Sequence, residues 1–365
     1  MLGQACCHLG MMEDAMVLLS NGKRAASAAI RKQSNSMRED SFIAETGGGG
    51  DSNLVSYLLG NIKFLLRRRT TALAALEAGL YNEAARHFSK IIDGRRGTPQ
   101  GFIAECYMHR AEAYHAANRL IDAIADCNRT LALNPACAEA LSTRATLYET
   151  IGCFADCLHD LEQLKLLYEA LLQNHSLQRE ISKVHSSNGM DNDFQGCIDF
   201  ISSKAIGIRD RCNGHDTVDH YRVLGLSRGC SRTEVERAYL LFSLKHRPDK
   251  AAHFIDRCEF VDERDVDAVK AEARSAGLKL FRLIQRAYIG IITAITEEEM
   301  GRDLSLRQSD LVMDRAASLG LFWQDSTRSS DGFLSDADGD SQSLLDQEEL
   351  RFSEEQMWLD EYDDG

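Results

Sequence analysis

Four positions of one pattern, three of them with the same side chain, recur at a fixed distance in this chain. Tyr107, Arg110, Ala111 and Tyr114 return 34 residues later as Leu141, Arg144, Ala145 and Tyr148. A repeat of that length is one pair of helices, which cannot bury its apolar face alone and must stack on its neighbours. Each position has a physical reason. Ala111 and Ala123 are small enough to let the two helices of a hairpin approach closely. Tyr114 fills the gap between neighbouring hairpins, and Pro135 ends a unit because its ring cannot continue a helix. An all-α solenoid of helical hairpins is therefore expected over residues 54–171.

A further unit fits upstream at Ala72, Gly79, Ala84 and Phe88. Ala84 precedes Ala123 by 39 residues, so about five extra residues fall in the connection, a small entropic cost in a surface turn. Residues 1–33 match part of the same template through Gly3, Gly10, Ala15 and Leu19. The match opens inside the first helix of its unit, which predicts a shortened version of a longer array. Residues 34–53 (SNSMREDSFIAETGGGGDSN) read as a flexible linker. Residues 172–216 read as a helical spacer interrupted at His185–Gly189, with a second helix through Phe194, Cys197, Ile198 and Ile201.

A second kind of module follows over 217–298. It opens with Asp219-His220-Tyr221-Arg222-Val223-Leu224-Gly225-Leu226. Ser231 and Glu234 then have capping-box spacing at the head of a helix that ends at His246. Val235, Ala238, Tyr239, Phe242 and Leu244 supply its packing face. After the loop Arg247-Pro248-Asp249-Lys250, a long helix carries Phe281, Ile284, Ala287 and Tyr288 on one side. The segment Ala251–Lys270 between them reads as a solvated, charged insertion.

The 34-residue units resemble tetratricopeptide repeats, and residues 217–298 resemble a J-domain. Together they are similar to the family of repeat proteins with a C-terminal J-domain, which are DnaJ-type co-chaperones. That resemblance implies an antiparallel helical hairpin with the Pro-Asp loop at its tip, engaging a heat-shock-70 chaperone through Arg237, Lys245, Arg247, Pro248, Asp249 and Lys250. Two departures bear on activity. Aligned on Pro-Asp, Arg247 stands where the family has the histidine of His-Pro-Asp. Arginine is always charged and only donates hydrogen bonds, so it offers neither the acceptor nor the compact ring of imidazole. Leu240 and Leu241 also stand where further basic residues are usual. Stimulation of the chaperone ATPase is thereby put in question.

The repeat resemblance also implies a groove that holds a client or partner peptide. In repeat proteins that bind chaperone tails, this groove carries a Lys, Asn and Arg clamp for a terminal carboxylate. By repeat position, Arg69 could supply the first basic group, but Leu73, His109, Glu139 and Thr143 occupy other clamp positions. Arg69, His109, Arg110, Thr143 and Arg144 are the groove candidates.

Charge narrows the partner class. The net charge of −14 sits mainly in the tail: Asp325–Gly365 holds 14 acidic residues against Arg328 and Arg351. An acidic tail repels nucleic acid, which argues against a nucleic-acid partner. Low hydrophobicity and high charge also lead to an expectation of disorder over most of residues 299–365. Asp336-x-Asp338-Gly339-Asp340 is not a calcium loop, because the first and last ligand positions would be Leu334 and Leu345.

The 11 cysteines lack paired zinc spacing and read as reduced, buried thiols. No run of about 18 apolar residues suggests a membrane span. The expectation is a non-enzymatic co-chaperone adaptor without cofactor, metal or catalytic constellation, cytoplasmic with the nucleus as a second compartment. The competing expectation is a protein-interaction scaffold with a degenerate J-domain and no chaperone-stimulating activity.

Overall fold

The computed structural model describes residues 2–8, 10–36, 49–94, 98–182, 189–212, 218–260 and 265–318. The fold is all-α, as expected. Helical hairpins follow one another as α1 (Leu2–His8) with α2 (Met12–Ser36), α3 (Gly49–Glu77) with α4 (Tyr81–Ile92), α5 (Gln100–Ala116) with α6 (Leu120–Leu133), and α7 (Ala138–Ile151) with α8 (Phe154–Ser182). Small residues lie where the helices touch: Ala84, Ala111, Ala123, Ala140 and Ala145 are fully buried. Gly10 allows the first hairpin to meet α5. Its φ is +82°, and a Cβ there would lie 2.7 Å from the Phe102 backbone nitrogen. Between α6 and α7, Asn134 Oδ1 accepts from the Ala136 amide at 3.2 Å, so Asn134 and Pro135 make the turn that separates the two helices.

The spacer is part of the stack. Helix α9 (Gly189–Arg211) folds back along α8 and buries Ile198, Ile201 and Ile208. Lys204 and Arg211 of α9 also reach Glu149 of α7, at 3.0 Å and 2.5 Å. Helix α8 runs without a break through the expected repeat boundary at 171.

The C-terminal module comprises α10 (His220–Val223), α11 (Arg232–Lys245) and α12 (Asp265–Ser318). Ser231 and Glu234 form the predicted capping box at the head of α11. Tyr239 of α11 stacks on Tyr288 of α12 at 4.3 Å between ring centroids, and Leu280, Leu283, Ile284, Ala287 and Ile291 line the buried face of α12. Val223, Leu224 and Val235 belong to the same apolar core as Ala145, Leu147 and Ile208, so module, spacer and repeats share one interior.

Several expectations change. The linker is shorter than 34–53, because α2 ends at Ser36 and α3 begins at Gly49; the residues between lie outside the described ones. Helix α12 continues to Ser318, past the boundary at 298; the rest of the tail, with its acidic cluster, lies outside the described residues. Leu244 does not pack within the module; it is 64% exposed. Helical spacing alone put it on the packing face, but α11 turns that position outward.

The largest correction concerns the segment after Lys250. Residues 251–260 are not a solvated insertion. They form a 3-10 turn (His253–Arg257) and a two-residue strand β2 (Cys258–Glu259) parallel to β1 (Thr98–Pro99), which precedes α5. Ala252 and Ile255 are buried with Ala132 of α6 and Ala273 of α12. Phe254 meets Tyr107 of α5 edge-on at 5.4 Å, and Arg257 pairs with Asp93 at 2.9 Å. The apolar Phe254 and Ile255 inside a charged run were the overlooked signal. Residues 261–264, with most of the charge run, lie outside the described residues.

Candidate functional site

The loop Arg247–Lys250 sits at the tip of the α11–α12 hairpin, and its backbone follows from its residues. Proline fixes φ and opens a single 3-10 turn, Pro248–Lys250. Arg247 and Asp249 close on each other, with Nε–Oδ1 at 3.0 Å and Nη2–Oδ2 at 2.9 Å, and each remains at least half exposed. The hydrogen bond from Arg247 lowers the Asp249 carboxyl below its ordinary value. Lys250 is exposed beside them, and Arg237 is exposed further up α11. One face of α11 is apolar and open: Leu240, Leu241 and Leu244 are exposed there.

The inner side of the same tip faces α6. Lys245 Nζ lies 2.9 Å from Asp122 Oδ1, and His246 Nε2 lies 3.0 Å from the same oxygen. Arg119 holds the other oxygen at 2.7 Å. Burial works to raise the Asp122 carboxyl, but the hydrogen bond from His246 and the charges of Lys245 and Arg119 hold it well below the usual carboxylate range. Asp122 is therefore ionised, and His246 must donate from Nε2. Burial lowers the imidazole's own proton affinity, against the pull of Asp122. A cavity of about 40 Å³ lies at this junction, lined by Asn128, Arg129, Lys245, Arg247, Lys250 and Phe254 among others. It has room for little more than a few waters.

The groove candidates are dispersed. Arg69 of α3 bonds Glu13 of α2 and lies 2.8 Å from Glu105 of α5, so it ties three helices. Arg110 and Arg144 were expected at a groove; they are instead struts of the stack. Arg110 grips Asp126 with two bonds, at 2.7 and 2.9 Å, and reaches Ser89 of the preceding hairpin at 2.8 Å. Arg144 repeats the arrangement on Asp160, at 2.8 and 2.7 Å, and on Asn128 at 2.6 Å. Asp126 and Asp160 are fully buried. Sequence reasoning missed these partners, although Asp126 and Asp160 are themselves 34 residues apart.

His109 and Thr143 stay partly accessible on α5 and α7. His109 stacks on Phe88 and lies 3.1 Å from Glu112, and that hydrogen bond raises its imidazole. The adjacent Glu112 raises the Glu139 carboxyl. With Glu105, Glu112 and Glu139 around it, His109 does not sit in a clamp for a terminal carboxylate.

Among the described residues no group of three or more His, Cys, Asp and Glu is placed to hold a metal, and no helix is long and apolar enough to cross a membrane. The chain is similar to the DnaJ homolog subfamily C member 7 homolog of Dictyostelium discoideum: 23% identical over 217 residues, covering 60% of this chain and 32% of that relative. It is also 23% identical over 150 residues to the protein of the same description in Schizosaccharomyces pombe, covering 41% of this chain and 26% of that relative. The chain thus spans about a third or less of the length of these curated relatives. No family model matches the sequence. Both matches support a relationship to DnaJ-type proteins.

Proposed function

We propose that this chain is a non-enzymatic co-chaperone adaptor. Its helical repeats hold a protein segment, and its C-terminal hairpin engages a heat-shock-70 chaperone. The observation that carries this reading is the hairpin tip: a Pro-Asp-Lys turn between two antiparallel helices, with Arg237, Arg247, Asp249 and Lys250 all exposed. Similarity to DnaJ-type relatives supports it. Among the described residues the groove candidates assemble no carboxylate clamp, which favours a segment other than an acidic chaperone tail.

Chaperone engagement is proposed to be weakly productive. Arg247 occupies the position of the family's histidine, and its guanidinium bonds the one carboxylate in the loop. A scaffold without chaperone stimulation is the second reading, favoured by the exposed Leu240, Leu241 and Leu244. Single-turnover ATP hydrolysis by a heat-shock-70 chaperone separates the two. The whole chain is the proper reagent, because the hairpin shares its core with the repeats. Acceleration by the native chain supports the adaptor. Acceleration by Arg247→His alone supports a silenced scaffold, and no acceleration by either form removes the chaperone as partner.

A further inference from the structure

The two sides of the hairpin tip have different fates. Arg247, Asp249 and Lys250 face solvent, whereas His246 is buried against Asp122 of α6 and Lys245, still 47% exposed, is paired with the same carboxylate. The His246 side chain is only 3% exposed. A partner that needs the basic end of α11 must therefore compete with a carboxylate from the repeats.

Beside the core that the module shares with the repeats, the contacts that hold residues 245–259 themselves on α5 and α6 are modest. They comprise a two-residue strand pairing, the exposed Arg257–Asp93 pair, the Tyr107–Phe254 contact, and a small apolar cluster of Ala132, Ala252, Ile255 and Ala273. An exposed ion pair contributes little, about 0–1 kcal/mol. At the centre stand charged groups where apolar side chains would pack at least as well. Buried ion clusters are an inefficient way to stabilise an interface, but they fix one register and are lost together when one member changes.

We propose that the repeats hold the hairpin closed through Asp122, burying His246 and pairing off the charge of Lys245, and that release of residues 245–259 from α5 and α6 is the step that admits the chaperone. The masking of a chaperone site rests on the function proposed above; the closure itself does not. A partner that binds only the open form has its affinity reduced by the open fraction.

The test uses the full chain in three forms. Asp122→Asn removes the charge that pins Lys245. Thr98→Cys provides a lock, because Thr98 is the strand partner of the native Cys258, and paired strand positions fall within the Cα spacing a disulfide accepts. Amide hydrogen exchange across 245–259 reads closure directly. Binding to an immobilised heat-shock-70 chaperone reads masking.

The expected result is faster exchange over 245–259 in Asp122→Asn, with chaperone binding tighter by about tenfold. The oxidised Thr98→Cys form should lose binding and regain it on reduction. Unchanged exchange in Asp122→Asn overturns the closure. Equal binding by the oxidised and reduced Thr98→Cys forms overturns the masking even if Asp122→Asn folds poorly. Faster exchange with no chaperone binding by any form leaves the closure standing, overturns the masking, and removes the co-chaperone function.

Discussion

Asp122 and His246 are 124 residues apart in sequence and share a buried hydrogen bond of 3.0 Å. Around it stand Lys245, Arg119 and Arg129, with Asp126 as the second carboxylate of α6. Burial disfavours a proton added to His246, and Arg129 and Lys245 oppose it as well, against the pull of Asp122. Neutral imidazole, donating from Nε2, is the form that fits.

Acid should therefore loosen the contact. An unfolded imidazole titrates near about 6.5, and folded His246 lies below its ordinary value. The folded chain binds fewer protons than the unfolded one in that window. The contribution is complete above about pH 6.5 and is lost as pH falls through the folded value. Asp122 has the same sign, but its loss lies below about pH 4. Urea midpoints and exchange protection at 245–259 should both fall between about pH 7.5 and 5.5. His246→Gln should flatten that dependence relative to the native chain; identical slopes would refute the assignment.

The two arginine struts make a prediction about stability. Asp126→Ala leaves Arg110 buried without its carboxylate, and Asp160→Ala does the same to Arg144. Each change should cost about 3–5 kcal/mol, as for other buried pairs broken on one side. Replacing Arg110 and Asp126 together by Met and Leu should cost much less. Arg257→Ala, at an exposed pair, should fall within about 1 kcal/mol. Urea denaturation of the variants checks the ranking, and a cost for Asp126→Ala as small as that for Arg257→Ala would contradict it.

The repeats were legible because their helices meet through small residues at a fixed period, and a period survives divergence of the surface. Ala84, Ala111, Ala123 and Ala145 fell where the packing needs them. The role of Arg110 and Arg144 is not legible from the arginines alone, because it depends on Asp126 and Asp160, which recur at the same 34-residue spacing. The docking of α11 on α6 could not be read at all: no periodicity relates Asp122 to His246, and each residue looks ordinary in its own helix. Residues 251–260 lay between these cases. Their charge suggested solvent, while Phe254 and Ile255 carried the contrary signal.

Gly277 gives a test of the packing beneath the tip. A Cβ at this position on α12 would stand 2.5 Å from the Ala251 Cβ, which belongs to the turn after Lys250. Neither atom can rotate away, so the turn or the helix must shift. Gly277→Ala should destabilise by about 1–3 kcal/mol. Adding Ala251→Gly should restore most of the loss, since the clash is pairwise. A thermal-melt double-mutant cycle measures the coupling, and strictly additive effects would mean that the two residues do not meet.

Leu240 and Leu241 test the partner surface itself. They are 59% and 45% exposed on α11, so Leu240→Lys and Leu241→Lys remove little buried area and should change stability by no more than about 0.5 kcal/mol. Their new charges would extend the basic face that begins at Arg237. If this face meets a heat-shock-70 chaperone, the double variant should bind more tightly than the native chain, and the gain should shrink as salt is raised. An apolar partner gives the opposite pattern: Lys at 240 and 241 weakens capture, and salt does not rescue it. Titration of the chaperone at low and high ionic strength distinguishes the two, and a loss of binding in the double variant would move the assignment from chaperone contact to an apolar docking face.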